Sequence, residues 1–312
     1  MAFGHAAVVP GAPAPTFERP DSPAAFERAA GAFLSAREAE NNLILGLTAN
    51  LKAGRAYGPS APFFGVVRSR ADVIGAAMRT PPFNLILAAG TSDDALEVIL
   101  DRIARETTDI TGIIGPKDLA RRAVERWSER TSLIGRLQMA ERIYALTRVI
   151  PPRPVPGAMR PARTDDLELV ARWLLAFVRE AQPHLESSLD GARENAAGWI
   201  KGGRLRVWED NGPVSMAGAS GPTPNGIRVG AVYTPPERRR RGYASALVAA
   251  LSQEQLDGGK RFCFLFTDLA NPTSNKIYQD IGYVPVIDVD EYRFEGRLRP
   301  VLRPTRSRLP LR

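Results

Sequence analysis

The chain has 312 residues, 44% of them apolar and 24% charged, with a formal net charge of +8. That length suits about two domains, each able to bury its own core. A single cysteine, Cys263, and two distant histidines, His5 and His184, are too few for a disulfide framework or a soft-ligand metal site, so no metal is expected.

The charge is concentrated at one end. "RLRPVLRPTRSRLPLR", from Arg297 to Arg312, has six arginines and no acid, and without it the chain carries about +2. This stretch is read as a solvated tail over 296–312. No apolar run is long enough to span a membrane. The opening "MAFGHAAVVPGAPAP" lacks the charged start and apolar core of a secretory signal. The expectation is a cytoplasmic protein without a membrane partner, preceded by a flexible tail over 1–20.

From residue 21 the elements follow in order. "SPAAFERAAGAFLSAREAENNLILGLTANL" has helical period, with Ser22 as cap and Pro23 in the first turn. "FFGVVRS", "VIGAAMRT" and "FNLILAAG" read as strands. Helix follows at 93–105, strand at "TGIIGP", helix at 117–129 and a last strand in "LQMAERIYALTRV". "VIPPRPVPGAMRPARTDD" is a stiff connector that no helix crosses. It divides the chain into a first domain over 21–150, a linker at 151–156 and a second domain over 157–295.

The second half repeats the order. "GAMRPAR" is a strand, Thr164 caps a helix reaching Glu180, and "RENAAGWIKG" continues as helix. "RLRVWED", "PVSMAGASG" and "IRVGAVYT" are strands separated by Asn-Gly turns. A helix over 244–256, the strand "RFCFLFTD", the helix "SNKIYQDIG" closed by Gly282, and strands in "YVPVIDVDEYRFE" complete it. The fold class is α/β (α+β layered), with an internal structural duplication.

One turn in this half carries chemistry. In "VYTPPERRRRGYASALVAAL" the spacing Arg239-x-x-Gly242-x-Ala244 falls between a strand and a helix. The first N–H groups of a helix are unpaired and the dipole adds positive charge, which suits a phosphate. Glycine permits close backbone approach, and Arg240, Arg241 and the amide of Tyr243 lie on the same rim. A basic helix start with an ordinary glycine turn explains the spacing equally well. A nucleic-acid patch would need exposed aromatics interleaved with the arginines, and none are present.

With "VYTPP" before it and "NPTSNKIYQDIGY" after it, this turn resembles the GNAT acyltransferase superfamily, whose Arg/Gln-x-x-Gly-x-Gly/Ala loop binds the pyrophosphate of acyl-CoA. The resemblance covers residues 157–295 and implies two GNAT-like domains, each a mixed, mostly antiparallel twisted sheet flanked by helices. It implies acetyl-CoA as cosubstrate, with backbone pairing of its pantetheine arm to Val232, Tyr233 and Thr234. Pro235 and Pro236 would end strand pairing there. It places Asn271 and Asn275 near the cofactor arm, although both also suit a helix cap or first turn. Tyr278 matches the tyrosine that protonates the departing thiolate, and as a residue pattern it also suits a packed core position. The first half looks like a degenerate copy. Its "GTSDDALEV" offers Asp93 and Asp94 where the second half offers arginines, so it is read as folded but empty.

No general base is found by this reading. Glu209, Asp210, Glu237 and the loop residue His184 are available, and nothing in spacing selects among them. Cys263, in an aromatic strand, is read as core. The function expected is N-acetyl transfer from acetyl-CoA to a primary amine of a small molecule or peptide, by direct attack. The alternative is an acetyl-CoA-sensing module without turnover, which the absent base favours and Tyr278 opposes. A homo-oligomer is left open.

Overall fold

The computed structural model describes residues 14–106, 110–183 and 187–296. The expectations for His5, His184 and the arginine tail from Arg297 onward lie outside the described residues.

The first half runs β1 (Thr16–Glu18), α1 (Pro23–Ser35), α2 (Asn42–Lys52), β2 (Phe63–Ser69), β3 (Asp72–Arg79), β4 (Leu85–Leu87), α3 (Asp93–Glu106), β5 (Gly112–Pro116), α4 (Lys117–Thr131) and β6 (Ile134–Leu146). The second runs β7 (Ala158–Pro161), α5 (Leu167–Ala181), α6 (Leu189–Lys201), β8 (Leu205–Glu209), β9 (Pro213–Ser220), β10 (Gly226–Tyr233), α7 (Tyr243–Asp257), β11 (Phe262–Asp268), α8 (Pro272–Asp280) and β12 (Val284–Glu295). The same order of strands and helices occurs twice.

Three local expectations are corrected. The first long helix is two, broken at residues 36–41. There the buried Asn41 donates to the Leu34 carbonyl and accepts from the Ala89 amide at 2.8 Å, ties a continuous helix would forbid. Residues 16–18, expected in a flexible tail, pair with β2 as an edge strand. Thr164 does not cap α5. Asp166 takes the Arg163 N–H at 2.6 Å and holds Arg160 by two bonds. Those bonds keep its carboxyl below the usual range despite burial, which acts the other way.

All twelve strands form one sheet, in the order β1-β2-β3-β4-β5-β12-β6-β11-β10-β9-β8-β7. Its two parallel pairs are β4–β5 and β10–β11, one per half, and the other pairs are antiparallel. The middle of that order shows a strand exchange. β12, from the end of the second half, lies between β5 and β6, and β6, from the first half, lies between β12 and β11. The sequence boundary at 151–156 is therefore not a boundary in the sheet.

The exchange carries core residues with it. Tyr144 and Leu146 of β6 are wholly buried among Leu247, Leu251, Leu265 and Tyr283 of the second half. In return, Tyr292 and Phe294 of β12 pack on the first half's core around Trp127, with the Phe294 and Trp127 ring centroids 6.3 Å apart. Burying one such side chain is worth roughly 1.5–3 kcal/mol, so each half depends on the other's last strand.

Helices cover both faces. α1 and α2 pack on one face of the first half, and α5 and α6 on the same face of the second. α3, α4, α7 and α8 cover the other. The halves also touch above the sheet, where α2 meets the β9–β10 turn backbone to backbone. A β-carbon on Gly46 would lie 2.8 Å from the Gly221 Cα, so only glycine fits there. Beside it, Glu38 accepts from the Thr223 hydroxyl (2.5 Å) and from the Asn225 amide N–H and side chain (2.7 Å each).

Candidate active site

The site begins where β10 and β11 part. They pair in parallel only over Gly226–Arg228 and Phe262–Phe264, although β10 continues to Tyr233 and β11 to Asp268. On its other side β10 shifts register against β9 between Gly230 and Tyr233, with Ala231 at φ +49°. That bulge turns the strand away from β11 and frees backbone groups toward the gap. Pro235 and Pro236 were expected to end the pairing. The pairing with β11 stops after Arg228, seven residues before Pro235, while that with β9 ends at Tyr233 just before the prolines, and Pro236–Arg238 forms a short 3-10 turn.

The loop into α7 has the predicted form. Arg240 and Gly242 are left-handed, at φ +60° and +83°, and Gly242 stands as the N-cap. The first helical bond runs from the Ala246 N–H to the Gly242 carbonyl at 3.0 Å. The amides of Tyr243, Ala244 and Ser245 precede it at the positive end of a 15-residue helix. The rim arginines differ in their work. Arg239 binds the Thr234 carbonyl (2.8 Å) and Glu180 (2.7 Å), and lies over the Tyr233 ring, so it straps the loop to the strand end. Arg240 and Arg241 are exposed. The Tyr243 side chain is buried, with its hydroxyl 2.5 Å from Asp210.

The corresponding turn of the first half is closed. Ser92, not the neighbouring aspartates, caps α3 by accepting from the Ala95 N–H at 3.1 Å, and Asp93 instead faces Arg122 and Arg126. The Ala89 amide is taken by Asn41, and those of Thr91 and Ser92 by the carbonyls of Ala88 and Ile74. Where β4 and β5 diverge, Ile86, Leu87, Ile114 and Gly115 line a cavity of about 20 Å³, room for about one water molecule.

Around the gap in the second half, Asn271 caps α8 by accepting from the Ser274 N–H at 3.0 Å. Asn275 accepts from the Tyr144 hydroxyl and donates to the carbonyls of Asp268 and Asn271. Asn271 thus caps α8, and Asn275 fastens it to the sheet. Cys263 is wholly buried, and burial pushes its thiol up to about 12, as expected of a core cysteine.

Tyr278 and Tyr283 meet edge to face in the core beneath α7 and α8. The Tyr283 hydroxyl is engaged by Ser252 at 2.8 Å. The Tyr278 hydroxyl has no hydrogen-bond partner among the described residues, and burial pushes its phenol up to about 12.

The candidate bases are otherwise occupied. Glu209 is ion-paired with Arg160 at the far side of the sheet, and Asp210 accepts from Tyr243. Glu237 lies exposed in the 3-10 turn. What sequence reasoning missed is Glu141, on β6. It stands directly opposite Asp268, the last residue of β11, with Val289 on its other side. Ile143, two residues on, faces α2 with Phe266 and Val289, so alternation puts Glu141 on that same face. Burial pushes its carboxyl up to about 7, with Glu291 and Asp268 adding to the rise and Arg228 opposing it. One signal was present in the sequence: Met139, Glu141, Ile143 and Ala145 share a face that is apolar but for this acid.

A splayed parallel pair, a bulged strand and a left-handed glycine opening a helix at the mouth of the gap define the GNAT fold, here in tandem. Residues 213–293 match the model of the FR47-like protein family. A solved Drosophila protein is similar over 88% of this chain and 96% of its own, with a TM-score of 0.61 and 16% identity. A GCN5-related N-acetyltransferase from Sphaerobacter thermophilus has a TM-score of 0.53 at 15% identity, over 89% of this chain and 95% of its own. A tandem GNAT protein from the clavulanic acid biosynthesis pathway has the same TM-score at 13% identity, over 89% and 98%. No curated protein matches the chain. The matched segment resembles the FR47-like family, and the chain as a whole shares the fold of these GNAT structures.

Proposed function

We propose that the protein transfers an acetyl group from acetyl-CoA to a primary amine. The observation that carries this reading is the pairing of an open β10–β11 gap with an uncapped α7 N-terminus at its mouth. The α7 amides and the Gly242 turn would hold the pyrophosphate. The backbone of Val232 and the N–H groups of Tyr233 and Thr234, whose carbonyls already accept from Ser215 and Arg239, would pair with the pantetheine arm like an added strand and polarise the thioester carbonyl. Tyr278 lies on the α7–α8 face, where the sulfur departs, and donates its proton to the thiolate. The amine attacks from the opposite face, and no covalent enzyme intermediate is needed.

Calorimetric titration is expected to give one acetyl-CoA per chain, because the first half's turn has the amides of Ala89, Thr91, Ser92 and Ala95 already engaged and Ser92 as a cap. A Gly242→Val variant should bind more weakly. The β-carbon would not enter the ligand's place; it points 2.9 Å from a methyl of Val155, at a backbone angle that costs a branched residue roughly 1–2 kcal/mol. That strain, relieved by rotating the loop, corresponds to about 5- to 30-fold in affinity. Two equivalent sites per chain, or unchanged affinity in a folded variant, would count against the assignment of the loop.

A further inference from the structure

Two charged groups on the α2 face of the gap are left without partners. Arg228, on β10, points its guanidinium between the Gly221 backbone and the Phe266 ring, whose centroid lies 5.8 Å away. Its Nη1 is enclosed and has no hydrogen-bond partner among the described residues. Burial holds this group below its ordinary value, and Arg55 adds to that, while Tyr57 and Glu141 act against it. Glu141 likewise has no hydrogen bond or ion pair among the described residues. The two feel each other electrostatically, yet no salt bridge joins them. Both residues are half-buried, and a partly desolvated cation and acid kept apart are costly unless something between them answers both.

We infer that the acceptor is a primary amine bearing its own carboxylate, an amino acid or a molecule ending in one, with Arg228 gripping the carboxylate and Glu141 taking the amine's proton. This rests on the acyl-transfer reading above and adds the class of acceptor and the missing base. A guanidinium with a free Nη1 suits a carboxylate, since charge-assisted N–H donors favour it. In the transfer, the amine nitrogen bonds to the thioester carbonyl carbon and loses a proton to Glu141. The carbon–sulfur bond breaks, and the sulfur leaves with the Tyr278 proton. Solvent returns the proton from Glu141 to Tyr278. Base and acid lie on opposite faces of the sheet, so acceptor and CoA need not share an entrance. The base belongs to the exchanged strand, so the first half completes the second half's site.

The charged groups facing Glu141 are Asp268 on β11, Glu291 on β12 and Arg228 on β10, with Glu40, Arg55 and Tyr57 nearby on the segments around α2. Its carboxyl near 7 should appear as the ascending limb of the kcat/KM profile. The experiment measures CoA release from acetyl-CoA between pH 5.5 and 9, using amino acids and their decarboxylated amines as paired probes. Amino acids should be favoured by about 10- to 150-fold, the range of one hydrogen-bonded charge contact. Arg228→Gln should erase that preference through KM, and Arg228→Lys should keep part of it. Glu141→Gln should lower kcat by about 10²–10⁴-fold and remove the limb near 7, with acetyl-CoA affinity intact in every folded variant. Equal use of both probe sets, a preference surviving Arg228→Gln, or an unchanged pH profile in Glu141→Gln would overturn the inference. So would a wild type that binds acetyl-CoA and acetylates no probe. A wild type that fails to bind acetyl-CoA would instead remove the underlying acyl-transfer reading.

Discussion

Residues 1–150, produced alone, are expected to give no cooperative native fold, and co-expression with residues 151–312 is expected to rescue them. The fragment keeps β6 but loses both strands that flank it, β12 and β11. Tyr144 and Leu146, wholly buried in the full chain, would then face water. β5 would become an open edge, a template for pairing with other chains. The Trp127 core would lose Tyr292 and Phe294. The paired carboxylate–guanidinium contact of Asp288 with Arg142 (2.6 and 3.0 Å), made across the exchanged strands, would vanish as well. Lost burial alone, at roughly 1.5–3 kcal/mol per large side chain, approaches the whole stability of a small domain, about 5–15 kcal/mol. Near-ultraviolet circular dichroism and size-exclusion chromatography decide the matter. A monomeric fragment with a sharp thermal transition would mean that β6 can fold back onto β5, making the exchange dispensable. The sequence suggests two domains that each bury their own core, and the sheet order interleaves their last strands.

What the sequence made legible was mostly local. Helices and strands announce themselves through period and through turn residues, and the left-handed Gly242 follows from the need to enter α7 sharply. The strand exchange could not be read that way. β6 and β12 alternate as any strand would, and alternation tells which face a residue takes, not which neighbour the strand acquires. The break between α1 and α2 was hidden for a related reason. Asn41 has a helical position in the pattern, and its reason for leaving the helix, the Ala89 amide, lies 48 residues away. At the site, Asn271 caps α8 and Asn275 anchors it, a structural use their local chemistry already allowed. Glu141 and Arg228 lie 87 positions apart in the chain. Only the folding of one half into the other brings them to the same gap.

Tyr278→Phe is expected to lower kcat by about 10²–10⁴-fold, the usual worth of a general acid, while leaving the fold and acetyl-CoA affinity almost unchanged. The phenyl ring keeps its place against Leu247, Ile281 and Tyr283. The lost hydroxyl has no protein partner to leave stranded, so the usual penalty for breaking a buried hydrogen bond does not arise. Tyr283→Phe is the informative control, because its hydroxyl is engaged by Ser252. That variant should lose stability and keep turnover. The phenol of Tyr278, raised to about 12, stays protonated across the whole working range, so its proton is always available. An alkyl thiol titrates near 8.5, so full transfer from the resting phenol is uphill by about 3.5 units. In the proposed transfer the hydroxyl would therefore donate to sulfur as the negative charge develops, and the proton would follow as the bond breaks. The sign of the pH effect comes from this. Tyr278→Phe should lower the profile uniformly between pH 6 and 9 without moving its ascending limb, whereas a change at Glu141 should move that limb. Steady-state kinetics of both variants over the same pH series separate the two roles. Wild-type turnover in Tyr278→Phe would assign that residue to packing alone.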